Sequence, residues 1–360
     1  MARLDIFTGL IPTSTPQLRW STAVGGEVGC RAVLAPGGRL VVGDKGKKIT
    51  VLDCATGATL WSKTLSYPTY YGSPAVDSAG NVYVATWREL ISYDPTGAVR
   101  WRTSFSAISQ APLQVGDQGD LYVVSAPIIS GTTSALGCYS TADGGLLWSY
   151  TLPGNNAAQS APALLGGGQA VVGSDNGDVL YINNGALSGQ INVGASVRCN
   201  PLLVFDRTGL PSQLIVGACA NNDASKHKLY AIDITSLPLA LNWEFSPTAL
   251  GSMEYMGSLT SPVISPGGVV FVGYNGHLWG VQGGQEVFRC SAANLAGPIA
   301  MDGQGNVIVS RERGDLVAVD LSGNPLWTLD KGGQGAGVAI DSSGDFYFGA
   351  KDGKVYSYGA

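Results

Sequence analysis

The chain has 360 residues, of which 51 are glycine, 18 are proline and only 13% are charged. This composition favours many short strands joined by tight turns over a helical fold. The net charge of −5 argues against a nucleic-acid partner, and we interpret the densest basic group, Lys45, Lys47 and Lys48, as a solvated hairpin. No stretch reaches the roughly 18 apolar residues of a membrane helix, and the N-terminal residues do not resemble a signal peptide.

A tryptophan, or a residue that replaces it, recurs along the chain at a nearly constant interval. The spacings are 41, 40 and 47 residues, then 95, 45 and 39. The interval of 95 spans two repeats, with a degenerate member near Ile191. A period of about 40 residues predicts the blades of a β-propeller. The recurring positions are Trp20, Trp61, Trp101, Trp148, Trp243, Phe288 and Trp327.

Each repeat contains four predicted strands separated by glycine-containing turns. In the second repeat they cover residues 72–77, 82–85 and 90–94, followed by a short strand that ends at Trp101. Alternating apolar residues between such turns indicate half-buried antiparallel strands. Counting the predicted first strands gives eight blades. These strands lie near Ala32, Pro74, Pro112, Pro162, Pro201, Pro262, Pro298 and Val338.

The eighth repeat has three strands, at residues 337–341, 346–350 and 355–359, and no fourth. Residues 16–20 match the fourth strand of the preceding repeat, so we expect them to complete the eighth blade with residues 335–359. Pairing the two chain ends removes exposed sheet edges. The prediction is therefore all-β: one eight-bladed β-propeller domain over residues 1–360, built of four-stranded antiparallel blades.

Three segments carry a resemblance to a known family. Residues 49–61 (Ile-Thr-Val-Leu-Asp-Cys-Ala-Thr-Gly-Ala-Thr-Leu-Trp), 229–233 (Leu-Tyr-Ala-Ile-Asp) and 316–320 (Leu-Val-Ala-Val-Asp) resemble the PQQ-like repeat. Quinoprotein alcohol dehydrogenases and the eight-bladed lipoprotein of the bacterial outer-membrane assembly machine share this repeat. The chain lacks the vicinal cysteines of the dehydrogenases, so the resemblance implies a bare binding propeller. We expect no cofactor and place a quinoprotein dehydrogenase third among the possible functions.

A ligand site is expected on the face formed by the loops that enter first strands and those that join second to third strands. Aromatic side chains there suit sugars, apolar ligands or protein partners, although loop packing explains them equally well. Arg31 and Arg198 suit an acidic ligand, with pairing to a nearby acid such as Glu27 as the alternative. The predicted ligand-binding residues are Tyr70, Tyr71, Trp87, Arg31, Asn200 and Ser261.

A second group of residues in blades 5 and 6 suits acid–base chemistry. His227 and His277 each stand at the entry to a third strand, and Glu254 lies between methionine and tyrosine. A base, an acid and an arginine are what β-elimination on an acidic polysaccharide requires. The candidate catalytic residues are His277, His227, Tyr255, Glu254 and Arg198. No spacing indicates a metal site.

Cys199 and Cys219 fall on neighbouring strands of blade 5. Their positions allow either a disulfide, which implies an oxidising compartment, or two buried thiols.

Function is the least determined property of the sequence. The first hypothesis is a monomeric propeller of the bacterial cell envelope, periplasmic or secreted, which binds a protein, saccharide or small molecule on its loop face. The alternative is an enzyme, a polysaccharide lyase or another lyase or hydrolase. The absence of a nucleophile elbow, phosphate loop or dinucleotide fingerprint favours the first hypothesis.

Overall fold

The computed structural model describes residues 9–69, 72–104, 107–109, 111–127, 133–154, 160–220, 226–247, 260–274, 276–291, 295, 297–311, 314–330 and 337–360. Within these ranges the regular elements are 33 β-strands, and no helix is long and apolar enough to cross a membrane. The strands form eight antiparallel sheets, which are the blades of an eight-bladed β-propeller. The predicted fold class is confirmed.

Blades 1, 2, 7 and 8 belong to one compact unit. Their strands, from the inner to the outer edge, are β2 (Val33–Ala35), β3 (Arg39–Gly43), β4 (Lys48–Asp53) and β5 (Thr59–Thr64) in blade 1; β6 (Ala75–Val76), β7 (Val82–Ala85), β8 (Glu89–Tyr93) and β9 (Val99–Ser104) in blade 2; β27 (Ala300–Met301), β28 (Val307–Ser310), β29 (Leu316–Val319) and β30 (Pro325–Leu329) in blade 7; and β31 (Ala339–Ile340), β32 (Phe346–Gly349), β33 (Lys354–Gly359) and β1 (Gln17–Ala23) in blade 8.

Blades 3 to 6 belong to a second compact unit. In blade 3 two short strands both pair with β12, so that sheet has five strands. The strands are β10 (Ala107–Ile108), β11 (Gln114–Val115), β12 (Asp120–Pro127), β13 (Ala135–Ser140) and β14 (Leu146–Thr151) in blade 3; β15 (Ala163–Gly166), β16 (Gln169–Gly173), β17 (Asp178–Asn183) and β18 (Ala186–Asn192) in blade 4; β19 (Leu202–Phe205), β20 (Pro211–Ala218), β21 (Lys228–Asp233) and β22 (Ala240–Phe245) in blade 5; and β23 (Val263–Ile264), β24 (Val270–Tyr274), β25 (His277–Gln282) and β26 (Gln285–Ser291) in blade 6.

The N-terminal strand completes the last blade, as the sequence predicts. β1 pairs antiparallel with β33, from Gln17 opposite Gly359 to Ala23 opposite Lys354. The strand extends three residues beyond Trp20, where the predicted segment ends. This pairing covers the β33 edge, whose N–H and C=O groups would otherwise be exposed.

The recurring tryptophans explain the glycines in the turns between third and fourth strands. Trp20 lies against Gly57, where a β-carbon would come within 2.5 Å of the indole, and Trp61 lies against Gly97 in the same way. The Trp20 Nε1–H donates to the Cys54 carbonyl at 2.8 Å. Trp20 and Trp61 therefore each dock on the turn between the third and fourth strands of the next blade, as expected for packing between blades.

Two details of the predicted strands are wrong. The prolines assigned to first strands lie before them: Pro74 precedes β6 and Pro201 precedes β19. Proline lacks the N–H that a ladder position requires, so the strands begin after it. The fourth strands also continue past the tryptophan, as β9 does beyond Trp101 to Ser104, because the exposed face of an outer strand accepts polar residues.

Candidate functional site

The turns between second and third strands lie beside the segments that enter the first strands, as the sequence predicts. In blade 1 the Lys45 N–H donates to the Glu27 carbonyl at 2.9 Å, and in the second unit the Val197 N–H donates to the Ser174 carbonyl at 2.9 Å. We call these turns and entry segments together the loop face.

His227 is held by both of its ring nitrogens. Nε2 lies 2.8 Å from the Ala220 carbonyl oxygen, and Nδ1 lies 2.6 Å from the hydroxyl of Tyr274. A carbonyl can only accept, so Nε2 carries the proton and Nδ1 accepts from the tyrosine. Burial raises the pKa of Tyr274, and the nearby Cys219 thiol raises it further, which keeps this hydroxyl protonated. In this arrangement neither ring nitrogen is open to take a proton from a substrate.

Tyr274 is the residue that sequence reasoning missed at this site. It ends β24, its ring meets the His227 ring edge to face at 5.1 Å, and its backbone pairs with that of His277 on β25. Tyr274 therefore contacts His227 through its side chain and pairs with His277 through its backbone. Its position at the end of a second strand, on the loop face, is the signal that could have identified it.

Arg198, a further candidate catalytic residue, has its own acidic partner. Arg198 binds Asp175, with 2.9 Å between Nε and Oδ1, and Ser196 donates to the same oxygen at 2.8 Å. Pairing with a nearby acid, the alternative interpretation of Arg198, is thus confirmed. Glu254 and Tyr255 lie outside the described residues.

Three predicted ligand-binding residues connect the entry segments of neighbouring blades. The Arg31 N–H donates to Ser73 Oγ at 3.1 Å in the first unit. In the second, Asn200 Oδ1 accepts from the Ala161 N–H at 2.8 Å, and the Asn200 N–H donates to Ser261 Oγ at 3.0 Å. These bonds give the residues a structural role. Their role in binding stays a prediction.

The Arg31 side chain does not pair with Glu27. Its Nη2 lies 3.4 Å from the Ile299 carbonyl, and Glu27 instead binds Lys45 at 2.9 Å. That suggested pairing is wrong because the guanidinium extends toward blade 7. Trp87 is half-buried in the turn between β7 and β8, while Tyr70 and Tyr71 lie outside the described residues.

Cys199 and Cys219 are present as two thiols and form no disulfide in the structure. The Cys199 sulfur donates to the Gly217 carbonyl at 3.3 Å and accepts from the Gly217 N–H at 3.0 Å, while the Cys219 backbone pairs with Ser196. Burial raises the pKa of the Cys199 thiol to about 12, which suppresses the reactive thiolate. The structure thus contains two thiols, of which Cys199 is buried and Cys219 is partly buried.

Comparisons with known proteins agree with the propeller fold. The family model described as "Outer membrane protein assembly factor BamB" matches residues 49–281, more than half of the chain. A sequence comparison with curated proteins finds no match.

Three solved structures illustrate how widely the fold is shared. BamB from Moraxella catarrhalis has a TM-score of 0.75 at 14% identity, covering 96% of this chain and 100% of that one. The quinohemoprotein alcohol dehydrogenase of Comamonas testosteroni has a TM-score of 0.72 at 12% identity, covering 98% of this chain and 78% of that one. Saccharomyces cerevisiae Sqt1 has a TM-score of 0.75 at 12% identity, covering 98% of this chain and 99% of that one. At such identities these structures show the fold alone, and the assignment comes from the family model: the chain belongs to the family of the outer membrane protein assembly factor BamB.

Proposed function

We propose that this chain is a protein-binding propeller of the bacterial cell envelope, which acts in the periplasm as a monomer and receives its partner on the loop face. Membership of the BamB family carries the proposal, because the family's description names a factor that assists the assembly of other proteins. The expected partner is accordingly a component of the machinery that assembles outer membrane proteins.

The geometry at blades 5 and 6 favours binding over catalysis. A general base must reach the proton that it removes, and both ring nitrogens of His227 already have partners. Arg198, the predicted carboxylate neutraliser, binds Asp175. Side chains fixed in this way form a rigid surface, and rigidity lowers the entropy lost when a partner binds.

Photo-crosslinking in cells tests where the partner binds. A benzophenone amino acid is placed at Arg88 or Asn176, in second-to-third-strand turns, or at Thr56 or Ser322, in third-to-fourth-strand turns. We expect one dominant adduct at the first two positions, identified by mass spectrometry as an outer-membrane assembly component. Equal yields at all four positions, or adducts confined to Thr56 and Ser322, would overturn the proposal.

A further inference from the structure

Two neighbouring turns on the loop face, together with the first residues of the strands that follow them, carry five lysines. Lys45 and Lys47 lie in the turn between β3 and β4 of blade 1, and Lys48 begins β4. Lys351 lies in the turn between β32 and β33 of blade 8, and Lys354 begins β33. Lys47, Lys351 and Lys354 are exposed. We call the five residues the lysine patch.

The segment at residues 24–28 holds the two turns together. The Val24 N–H donates to the Gly353 carbonyl at 2.9 Å, and the Val28 N–H donates to the Ala350 carbonyl at 3.2 Å. On its other side the same segment contacts the blade 1 turn: a β-carbon on Gly25 would lie 3.3 Å from Lys48 Nζ. Lysines that are some 300 positions apart in the sequence therefore share one surface.

The charge of this surface is opposite to that of the whole chain. The three segments contain five lysines and three carboxylates, a net of +2, while the other 16 basic and 23 acidic residues give −7. Each of the three acids has hydrogen-bond partners of its own, and Asp352 accepts from the Lys354 N–H and the Tyr356 hydroxyl. Asp44 is buried and accepts backbone N–H groups of Gly26 and Lys48, and Glu27 binds Lys45.

The backbone of Lys47 is the second sign that this surface is specialised. Lys47 has a φ of 63°, in the left-handed region. The turns of blades 4, 7 and 8 close with the same backbone hydrogen bond and have glycine at the corresponding position: Gly177, Gly314 and Gly353, with φ of 92°, 99° and 75°. The left-handed backbone is strained for a lysine but not for a glycine, and backbone strain of this kind is most common at functional sites.

We propose that the lysine patch binds an acidic segment of the partner protein. This inference rests on the proposed function and names the chemistry of the partner at one part of the loop face. Lysine side chains are long and flexible, so their ammonium groups match a run of carboxylates in charge and leave its exact spacing free. An anionic membrane surface is a poorer match. Among the described residues, no large exposed apolar side chain lies in these three segments, where it could insert into a membrane beside the lysines.

Binding of a fluorescein-labelled octaglutamate peptide to the full chain, measured by anisotropy at low salt, tests the proposal. The variant Lys47→Glu/Lys351→Glu/Lys354→Glu should lose about tenfold or more in affinity, since three exposed attractions become repulsions. The control Lys63→Glu/Arg102→Glu/Arg207→Glu changes the net charge equally with exposed residues outside the loop face and should stay within about twofold of the parent. Equal loss in both variants would mean that only net charge matters and would overturn the proposal.

The single variant Lys47→Gly separates binding from folding. Glycine relieves the left-handed strain, so the unfolding midpoint should stay the same or rise while peptide affinity falls. Unchanged affinity would contradict the role given to Lys47. Tighter binding to vesicles of phosphatidylglycerol than to the peptide would assign the patch to a membrane surface instead. If crosslinks form on the loop face but peptide binding does not depend on the lysines, this inference alone is refuted. If peptide binding depends on the lysines but no crosslinks form on the loop face, the proposed function is refuted.

Discussion

A chain that lacks residues 1–23 should lose about 5 kcal/mol or more of its free energy of unfolding, or aggregate before it can be measured. The deletion removes β1, so the whole of β33 becomes an open sheet edge. It also removes the buried Trp20, and truncating a buried tryptophan costs about 3–5 kcal/mol by itself. Ile11, which is buried, and the Pro12 carbonyl, which accepts from Trp327 Nε1 at 2.7 Å, are lost as well. Urea unfolding followed by tryptophan fluorescence measures the loss.

Adding the missing strand in trans provides the control. A synthetic peptide of residues 9–23 should restore most of the stability and solubility if edge pairing is the cause. A truncated chain that stays monomeric with an unchanged unfolding midpoint would show that β1 does not close the eighth blade.

Replacing Gly57 with alanine should destabilise the chain by about 2–5 kcal/mol, the sum of backbone strain and overpacking. Gly57 has a φ of 71°, and the new methyl group would lie 2.5 Å from the Trp20 indole, which must then leave its place on the turn. Because Trp20 is 9% exposed and donates to the Cys54 carbonyl, its displacement also breaks a buried hydrogen bond. The free energy of unfolding and the near-ultraviolet circular dichroism of the indole report the two effects.

Gly209→Ala is the matched control for this prediction. Gly209 has a φ of 83°, and a β-carbon there would meet no atom within 4 Å. It therefore isolates the cost of the left-handed backbone, about 1–2 kcal/mol. Equal losses in the two variants would show that the tryptophan does not depend on contact with the glycine.

The fold was predictable because its determinants repeat. Every blade that docks a tryptophan on the next blade's turn needs a glycine there, so Trp61 and Gly97 appear at regular spacing and reveal the period. The N-terminal strand could be assigned for the same reason, since its residues match those of a regular fourth strand. Only the strand ends were misplaced, at prolines and on exposed outer faces where side-chain pattern constrains the backbone least.

The candidate site was less predictable because its contacts join residues from different blades. His227 meets Tyr274 at a separation of 47 residues, and Asn200 meets Ser261 at 61. The lysine patch depends on the pairing of chain ends, which places Lys351 near Lys47; within the sequence alone, Lys45 to Lys48 indicate only a solvated hairpin. Such contacts follow from the closure of the fold and leave no local pattern.

Amide hydrogen exchange of the chain, alone and with the partner that the crosslinks identify, tests most directly whether the loop face is the binding surface. We predict slower exchange with the partner at residues 44–48, 174–178 and 350–354, and unchanged exchange in the turns at 53–58, 206–210 and 320–324. Slower exchange confined to the second set of turns, or in neither set, would show that the loop face is not the binding surface.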